Sequence, residues 1–330
     1  MDMRRLGSWG PLVSSVGLGA MSIGGTYGPT TEAETMQLLA RAVELGVNHL
    51  DTSDIYGMGQ SEELIGRFLR ESRPRILLAT KAAIRYVPGT GERRIDNSAA
   101  HLKSALEKSL KRLGRDHVEM FYLNRREIDR PIEEVVETMA QLKREGKIGA
   151  IGLSEVTPET LRRANRVHRI AAVQSEYSLW TRGVEHEMLA TCRDLGVTFV
   201  AFSPLGRGML TGSPLDPQAF GRADFRRANP RFQEPDFSRN RDAVARFVEL
   251  ARKLGRAPAT LAVAWVLSAD RHILAIPGTR SVEHLEENVA GSRVHLTLDE
   301  RAEIAAVFPE GFPWGERYGG AQWLGVERPA

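Results

Sequence analysis

The chain has 330 residues, of which 42% are hydrophobic and 26% are charged, so it can bury a large core as one α/β domain or two smaller ones. Its 45 basic and 42 acidic residues give a formal net charge of +3, and no aromatic-studded basic block indicates a nucleic-acid partner. Cys192 is the only cysteine, which excludes an intramolecular disulfide. Residues 1–10 lack an apolar signal core, and no apolar run is long enough to span a membrane. We therefore expect a cytoplasmic protein without a membrane partner; the sequence does not indicate its oligomeric state.

The first predicted element is a hairpin, because residues 4–15 contain two short extended pieces around a Gly-Pro turn. Eight strands follow at a spacing of roughly 25 to 40 residues, as expected for strand–helix units. Stretches with helical periodicity separate them, several of which open on a capping residue and close on glycine. The strands are predicted at residues 16–21, 47–53, 76–81, 118–124, 150–155, 171–177, 197–205 and 273–279.

Eight parallel strands that alternate with helices are typical of a (β/α)₈ TIM barrel of about 250 residues. We predict one such barrel, as a single domain over residues 1–330, because no linker divides the chain. The hairpin would close its bottom. A polar, proline-bearing segment at 206–240 predicts a long loop after strand seven, and the aromatic tail at 309–325 is expected to lie over the barrel mouth. A doubly wound open sheet is the alternative.

Polar side chains stand at the ends of most predicted strands. In a parallel barrel the carboxyl ends of the strands meet on one face, where catalytic groups lie. Asn124, which ends the strand in VEMFYLNRRE, would alone indicate only turn chemistry. Lys81 follows an apolar strand and must be either paired or functional, with Asp51 as the natural partner. The whole set consists of Met21, Asp51, Ser53, Lys81, Asn124, Ser154, Glu155, Gln174, Glu176, Ser203, Thr279 and Arg280.

Several motifs occur in one order along nearly the whole chain: HLDTSDIYGMGQSEELIGRFL, LLATK, IGAIGLSEV, VQSEYSLW, FSPLGRGMLTG and IPGTRSVEHLEENV. Together they resemble the aldo-keto reductase superfamily, in its bacterial NADPH-dependent branch. The resemblance implies reversible hydride transfer between NADP(H) and a small aldehyde or ketone. It also implies that Tyr56 is the proton donor, that Lys81 lies beside it, and that Asp51 holds the lysine. An acid in this role needs a pKa brought down from the usual value of about 10.

Asn124 departs from the family pattern, because most members carry a histidine at this position. An amide can also donate a hydrogen bond to a carbonyl, at shorter reach and without titrating. We therefore keep Asn124 among the predicted catalytic residues, with Asp51, Tyr56 and Lys81.

The resemblance further implies a set of NADP(H) contacts. Ser154 and Gln174 correspond to residues that bind the nicotinamide carboxamide, although Glu155 replaces the usual asparagine and its role is open. Phe202 corresponds to an aromatic ring that stacks on the nicotinamide, and Arg280 to a partner of the 2′-phosphate. The implied contacts are Gly19, Met21, Asp51, Ser154, Gln174, Phe202, Ser203, Pro204, Leu205, Arg207, Gly278, Thr279, Arg280, His284, Glu287 and Asn288.

Two alternative functions remain open. Asn124 alone favours an NADP(H)-binding regulatory protein with weak turnover, since potassium-channel β subunits of the same superfamily also have asparagine there. An aldolase-like barrel would instead use Lys81 to form a Schiff base. Metal catalysis is not predicted, because the eight histidines show no metal-ligand spacing.

The substrate pocket is predicted to have aromatic walls, which favour a flat or apolar carbonyl compound. The expected wall consists of Met21, Tyr56 and Tyr86, with Trp314, Tyr318 or Trp323 from the tail. Packing of these tail aromatics on the outside of the barrel is the alternative.

Overall fold

The computed structural model describes residues 1–87, 89–222, 224–309 and 311–328. The predicted N-terminal hairpin is present, with antiparallel strands Met3–Arg5 and Leu12–Ser14. Leu6 and Val13 of this hairpin pack among inward-facing side chains of the barrel strands. The hairpin therefore closes the bottom of the barrel, as predicted.

All eight predicted strands are confirmed, with ends that differ from the predicted ones by at most three residues, and they form one parallel sheet. The barrel closes where Ser15, Val16 and Gly17 pair with Ala275: the Gly17 amide donates to the Ala275 carbonyl at 2.8 Å, and the Ala275 amide donates to Ser15 at 2.9 Å. Closure excludes the open-sheet alternative. The strands are β1 (Leu18–Gly19), β2 (His49–Asp51), β3 (Leu77–Ala82), β4 (Val118–Leu123), β5 (Ile148–Ser154), β6 (Ala172–Glu176), β7 (Thr198–Phe202) and β8 (Ile273–Ile276).

Helices surround the barrel; most of them bury one apolar face, and the helix Pro258–Ser268 is buried on all sides. Their ends follow local sequence signals: Thr31 and Glu34 form a capping box at the start of α1, and Gly114 ends α3 in the left-handed region with φ of 65°. The helices are α1 (Glu32–Glu44), α2 (Gln60–Ser72), α3 (Ala99–Leu113), α4 (Ile132–Arg144), α5 (Pro158–Val167), α6 (Met188–Leu195), α7 (Asp236–Lys253), α8 (Pro258–Ser268), α9 (Val282–Ala290) and α10 (Leu298–Val307). None of the helices in the described part of the chain is long and apolar enough to cross a membrane.

The segment after β7 is more ordered than the predicted loop over 206–240. It contains four short 3₁₀ helices, and α7 begins at Asp236, before the predicted end of the loop. Buried aromatic rings hold it, since Phe232 lies 6.1 Å from Trp180 and 5.9 Å from Phe220, between ring centroids. Burial of these rings compensates for the entropy of ordering a long connection.

A second hairpin, here called the mouth hairpin, follows β3 and was not predicted. Its strands Ile84–Tyr86 and Arg93–Ile95 pair antiparallel. Each strand has only three residues and is partly exposed, so neither gives a clear apolar alternation. The prediction of a single domain stays a prediction.

Candidate active site

A cavity of about 790 Å³ opens at the carboxyl ends of the barrel strands. All the predicted cofactor contacts line it, as do Tyr56 and Asn124. Lys81 does not line the cavity: its side chain is 1% exposed and lies behind the wall. The barrel therefore brings together residues that are widely separated in sequence, as expected for this face of the fold.

Lys81, Asp51 and Tyr56 form a buried polar cluster at one side of the cavity. The Lys81 ammonium is ion-paired with the Asp51 carboxylate and donates to the main-chain oxygen of Thr52 at 2.7 Å. It lies 5.1 Å from the centroid of the Tyr56 ring. The second Asp51 oxygen accepts from Nε2 of Gln174 at 2.8 Å, so the carboxylate is held from two sides.

Electrostatics within this cluster favour a protonated tyrosine and a charged lysine. Burial raises the pKa of Tyr56, and the Lys81 ammonium offsets this only in part, so the expectation of a lowered pKa is wrong for this structure. Burial lowers the pKa of Lys81, but Asp51 and Tyr56 outweigh it and raise the pKa. Tyr56 therefore carries a proton at neutral pH.

The state of Lys81 argues against the aldolase alternative. A Schiff base requires a neutral amine that can reach the substrate. The Lys81 amine is instead charged, fully buried and paired with Asp51. Its position suits an electrostatic role toward Tyr56.

Asn124 points into the site. Its side chain is 6% exposed, and Nδ2 donates to the hydroxyl of Ser53 across the barrel mouth at 3.3 Å. In a turn, the asparagine side chain would bond to neighbouring backbone. The Asn124 amide instead donates to Ser53, which follows β2. The structure therefore favours a site residue over a turn residue.

The far end of the cavity, after β8, fits a nucleotide. Asn288 is 1% exposed, and both polar atoms of its amide lack a hydrogen-bond partner. A buried amide without a partner is costly unless a ligand completes it. Nearby in the sequence, the exposed Arg280 donates to the main-chain oxygen of Pro29 at 2.5 Å, which leaves donors for a phosphate.

Arg207, a predicted cofactor contact, is held by protein groups. Its guanidinium is ion-paired with Glu176 at 2.7 Å and donates to the main-chain oxygen of Arg317 at 2.7 Å. It also lies 4.8 Å from the centroid of the Tyr318 ring. A contact between Arg207 and the cofactor stays a prediction.

Glu155 binds the C-terminal tail. Its carboxylate is ion-paired with the Arg317 guanidinium and accepts from the amide of Glu176 at 3.0 Å. The Glu155 main-chain oxygen also accepts from the amide of Glu327 at 3.0 Å. The residue at the place of the usual asparagine thus holds the tail in position.

The tail reaches the barrel mouth through one of its three predicted aromatic residues. Tyr318 lines the cavity, as do Met21 and Tyr86. Trp323 packs edge-on against Tyr318, with ring centroids 5.2 Å apart, and Trp314 is 55% exposed. Trp314 and Trp323 do not belong to the cavity wall, and their packing on the outside of the barrel stays a prediction.

Several residues of the cavity wall were not predicted, among them Arg93 and Arg125. Arg125 follows Asn124 directly, within a run of charged residues that is usually solvated surface. Arg93 belongs to the mouth hairpin, which was itself not predicted. Arg125 could have been predicted from the sequence, because it is a charged residue next to a predicted catalytic residue.

The sequence of the chain from residue 15 to residue 308 matches the model of the Aldo/keto reductase family. The chain belongs to the aldo/keto reductase family. This reductase is 37% identical over 311 residues to the aldo-keto reductase yakc [NADP(+)] of Schizosaccharomyces pombe, covering 93% of this chain and 92% of the relative.

Solved structures agree with the fold of the reductase. The glycerol dehydrogenase AKR11B4 from Gluconobacter oxydans superposes with a TM-score of 0.84 at 28% identity, covering 93% of this chain and 94% of that chain. An aldo/keto reductase from Klebsiella pneumoniae in complex with NADP and acetate gives a TM-score of 0.73 at 25% identity, covering 96% and 99%. The predicted family and TIM-barrel fold are thus confirmed; the bacterial branch stays a prediction.

Proposed function

We propose that this reductase reversibly transfers a hydride from NADPH to a small aldehyde or ketone, with Tyr56 as the proton donor. The observation that carries the proposal is the buried Asp51–Lys81 ion pair beside Tyr56 in the wall of the cavity. The name of the yeast relative and the NADP complex of the Klebsiella structure support NADP(H) as the cofactor.

Tyr56 and Lys81 have different roles in the proton transfer. When bound, NADPH supplies the hydride that reduces the carbonyl carbon. The Tyr56 hydroxyl donates its proton to the carbonyl oxygen as negative charge develops there. Lys81 stabilises the tyrosinate that remains, since its ammonium is held close by Asp51.

Asn124 orients the carbonyl. Its Nδ2 carries two hydrogens, one of which is directed to Ser53, and the other is available to the carbonyl oxygen. A donor fixed before the reaction stabilises developing oxyanion charge without reorganisation.

Two ends of the cavity would hold the cofactor. Ser154 and Gln174 would bind its carboxamide beside Asp51, and Phe202 would stack on its ring. Arg280 and Asn288 would bind the 2′-phosphate and the adenine, because both have unused hydrogen-bonding groups.

The test of the proposal is Tyr56→Phe. We expect carbonyl reduction to fall by about 10²–10⁴-fold, because the general acid is lost, and NADPH binding to stay nearly the same. Turnover and fluorescence titration of NADPH measure the two effects. Tyr177→Phe is the control, since that buried hydroxyl donates to Glu185 away from the cluster. Parent rates in Tyr56→Phe would remove Tyr56 from the mechanism.

A regulatory NADP(H)-binding protein with weak turnover is the second candidate, favoured by Asn124 at the usual histidine position. Tight NADPH binding without reduction of any aldehyde or ketone would support it over the enzyme. Cytoplasmic localisation and the absence of a nucleic-acid partner stay predictions.

A further inference from the structure

Two arginines of the cavity wall have no role in the chemistry proposed above. Arg93 extends from the mouth hairpin, and Arg125 follows Asn124 at the end of β4. Within the described ranges neither guanidinium has a carboxylate within the 4.0 Å of an ion pair. Both are partly buried, so solvent only partly screens their charges. We refer to these two residues as the arginine pair.

The arginine pair has hydrogen-bond donors to spare. To described residues Arg125 donates only from Nη1, to the main-chain oxygen of Asn124 at 2.7 Å and to the Ser154 hydroxyl at 3.2 Å, with a longer contact of 3.4 Å to the Asn124 side chain. Its Nε is buried without a partner. Arg93 donates to the main-chain oxygen of Ala321 at 2.5 Å. Since a guanidinium carries five N–H donors, most remain for a ligand.

Two other arginines in the same wall, Arg207 and Arg226, are neutralised by carboxylates of the protein. Arg207 is ion-paired with Glu176 and Arg226 with Asp224, each at 2.7 Å. The chain thus supplies carboxylates elsewhere in the cavity. The arginine pair has no such countercharge among the described residues, and in this it is like Arg280 at the nucleotide end of the cavity.

The arginine pair lies away from the nucleotide end of the cavity. Arg125 follows β4 whereas Arg280 follows β8, and these strands are four apart in the closed order of eight. The substrate wall residues Tyr86 and Tyr318 line the cavity with the pair. Burial lowers the pKa of Arg93, and the charge of Arg125, which repels the Arg93 guanidinium, lowers it further. An anion between them would relieve this repulsion.

We propose that the arginine pair binds an anionic group of the substrate, so that the reductase prefers carbonyl compounds that carry a carboxylate or a phosphate. Guanidinium groups bind both oxyanions through charge-assisted hydrogen bonds. The inference rests on the proposed function, because the anion would bind in the cavity where the carbonyl is reduced.

Three aldehydes of one shape test the preference: 4-formylbenzoate, 4-formylphenyl phosphate and the neutral methyl 4-formylbenzoate. We expect KM for at least one anionic aldehyde to be about 10- to 100-fold lower than for the ester, as the loss of a charge-assisted contact predicts. The anion with the lower KM identifies the carboxylate or the phosphate as the preferred group. An equal or lower KM for the ester would overturn the inference.

Substitutions assign the preference to the arginine pair. Arg93→Met and Arg125→Met should each reduce the ratio of kcat/KM for the anionic aldehyde over the ester by about tenfold or more, mainly through KM. Arg94→Met is the matched control, since Arg94 lies on the same hairpin and is ion-paired with Glu92 at 3.0 Å. An unchanged ratio in both pair variants, or an equal fall in the control, contradicts the inference.

A binding measurement separates this inference from the proposed function. Benzoate and phenyl phosphate, which contain no aldehyde, are titrated calorimetrically into the parent, Arg94→Met and the two pair variants. We expect binding to weaken about tenfold or more only in the pair variants, with circular dichroism confirming their fold. Should no aldehyde be reduced while this pattern holds, the proposed function fails and the anion site stands. Should reduction depend on Tyr56 while both anions bind all four proteins equally, the anion site alone fails.

Discussion

Asn124 places an amide at the position for which the family resemblance leads us to expect a histidine. The amide is buried in the cavity wall and is fixed by its bond to Ser53, so its remaining hydrogen has a defined direction. It provides a hydrogen-bond donor that does not titrate. Leucine has a similar volume and no donor, so its substitution for Asn124 measures what the amide contributes to turnover.

Asn124→Leu should lower the turnover of aldehydes by about 100-fold, with NADPH affinity little changed, because one donor to the developing oxyanion is lost. Asn124→His should retain or raise turnover of simple aldehydes, since the longer imidazole reaches the carbonyl directly. Ser53→Ala is the control that removes the bond to Asn124 and keeps the amide. If the Leu variant reduces every substrate at the parent rate, Asn124 is a strand-end residue without a catalytic role.

Arg280 determines cofactor choice in the proposed function. Arg280→Ala should weaken NADPH binding by about one to two decades, because a charge-assisted contact to the 2′-phosphate is lost. NADH lacks that phosphate, so its affinity serves as the internal control and should change little. Fluorescence titration of both cofactors gives the comparison. Equal affinities of the parent for the two cofactors would contradict the assignment.

At the scale of elements, two ion pairs join the C-terminal tail to buried residues at the barrel mouth: Arg317 is ion-paired with Glu155, and Glu327 is ion-paired with Arg126 at 3.0 Å. Tyr318 is thereby held in the cavity wall. Loss of either ion pair should therefore affect both the tail and the cavity.

Glu155→Gln should destabilise the protein by about 3 kcal/mol, because it leaves the Arg317 charge partly buried with its nearest carboxylate removed. Hydrogen exchange should accelerate in the tail, residues 311–328, before it does so in the barrel. Urea unfolding and exchange mass spectrometry measure these effects. Glu316→Gln is the control: Glu316 is exposed and precedes Arg317, so its substitution should change neither the stability nor the exchange of the tail. Parent-like exchange in the tail of Glu155→Gln would show that the ion pair does not hold it.

At the scale of the whole molecule, the closed barrel buries a histidine in its interior. His49 lies in β2 two residues before Asp51, is 1% exposed, and its Nδ1 lacks a hydrogen-bond partner. Burial lowers the pKa of His49 from 6.5 to about 4. Between these values the unfolded chain binds a proton that the folded protein does not, so stability falls as the pH decreases.

This linkage predicts that His49 lowers the free energy of unfolding by about 2 kcal/mol as the pH falls from 7 to 5. His49→Asn should remove that part of the pH dependence, whatever its effect on stability at pH 7. Urea unfolding at the two pH values measures it. The exposed His295→Asn is the control and should keep the pH dependence of the parent. An unchanged difference in His49→Asn would show that the histidine is not the group responsible.

The sequence by itself determined the barrel and the polar residues at its strand ends, because both depend on local patterns, whereas the catalytic roles follow from the family resemblance. Apolar runs and capping residues are read within a single element, and the fold places the ends of parallel strands on one face. Asp51, Lys81 and Asn124 could therefore be named from their positions at the ends of strands.

Only the tertiary structure decided features that depend on which distant residues meet and how deeply they are buried. Arg93 and Arg125 line one cavity although Arg93 belongs to the mouth hairpin and Arg125 follows β4. Glu155 meets Arg317 from the far end of the chain. The direction in which the pKa of Tyr56 shifts likewise depends on whether burial or the charge of Lys81 has the larger effect. Desolvation and Coulomb energies depend on three-dimensional distances, which the spacing of residues in the sequence does not contain.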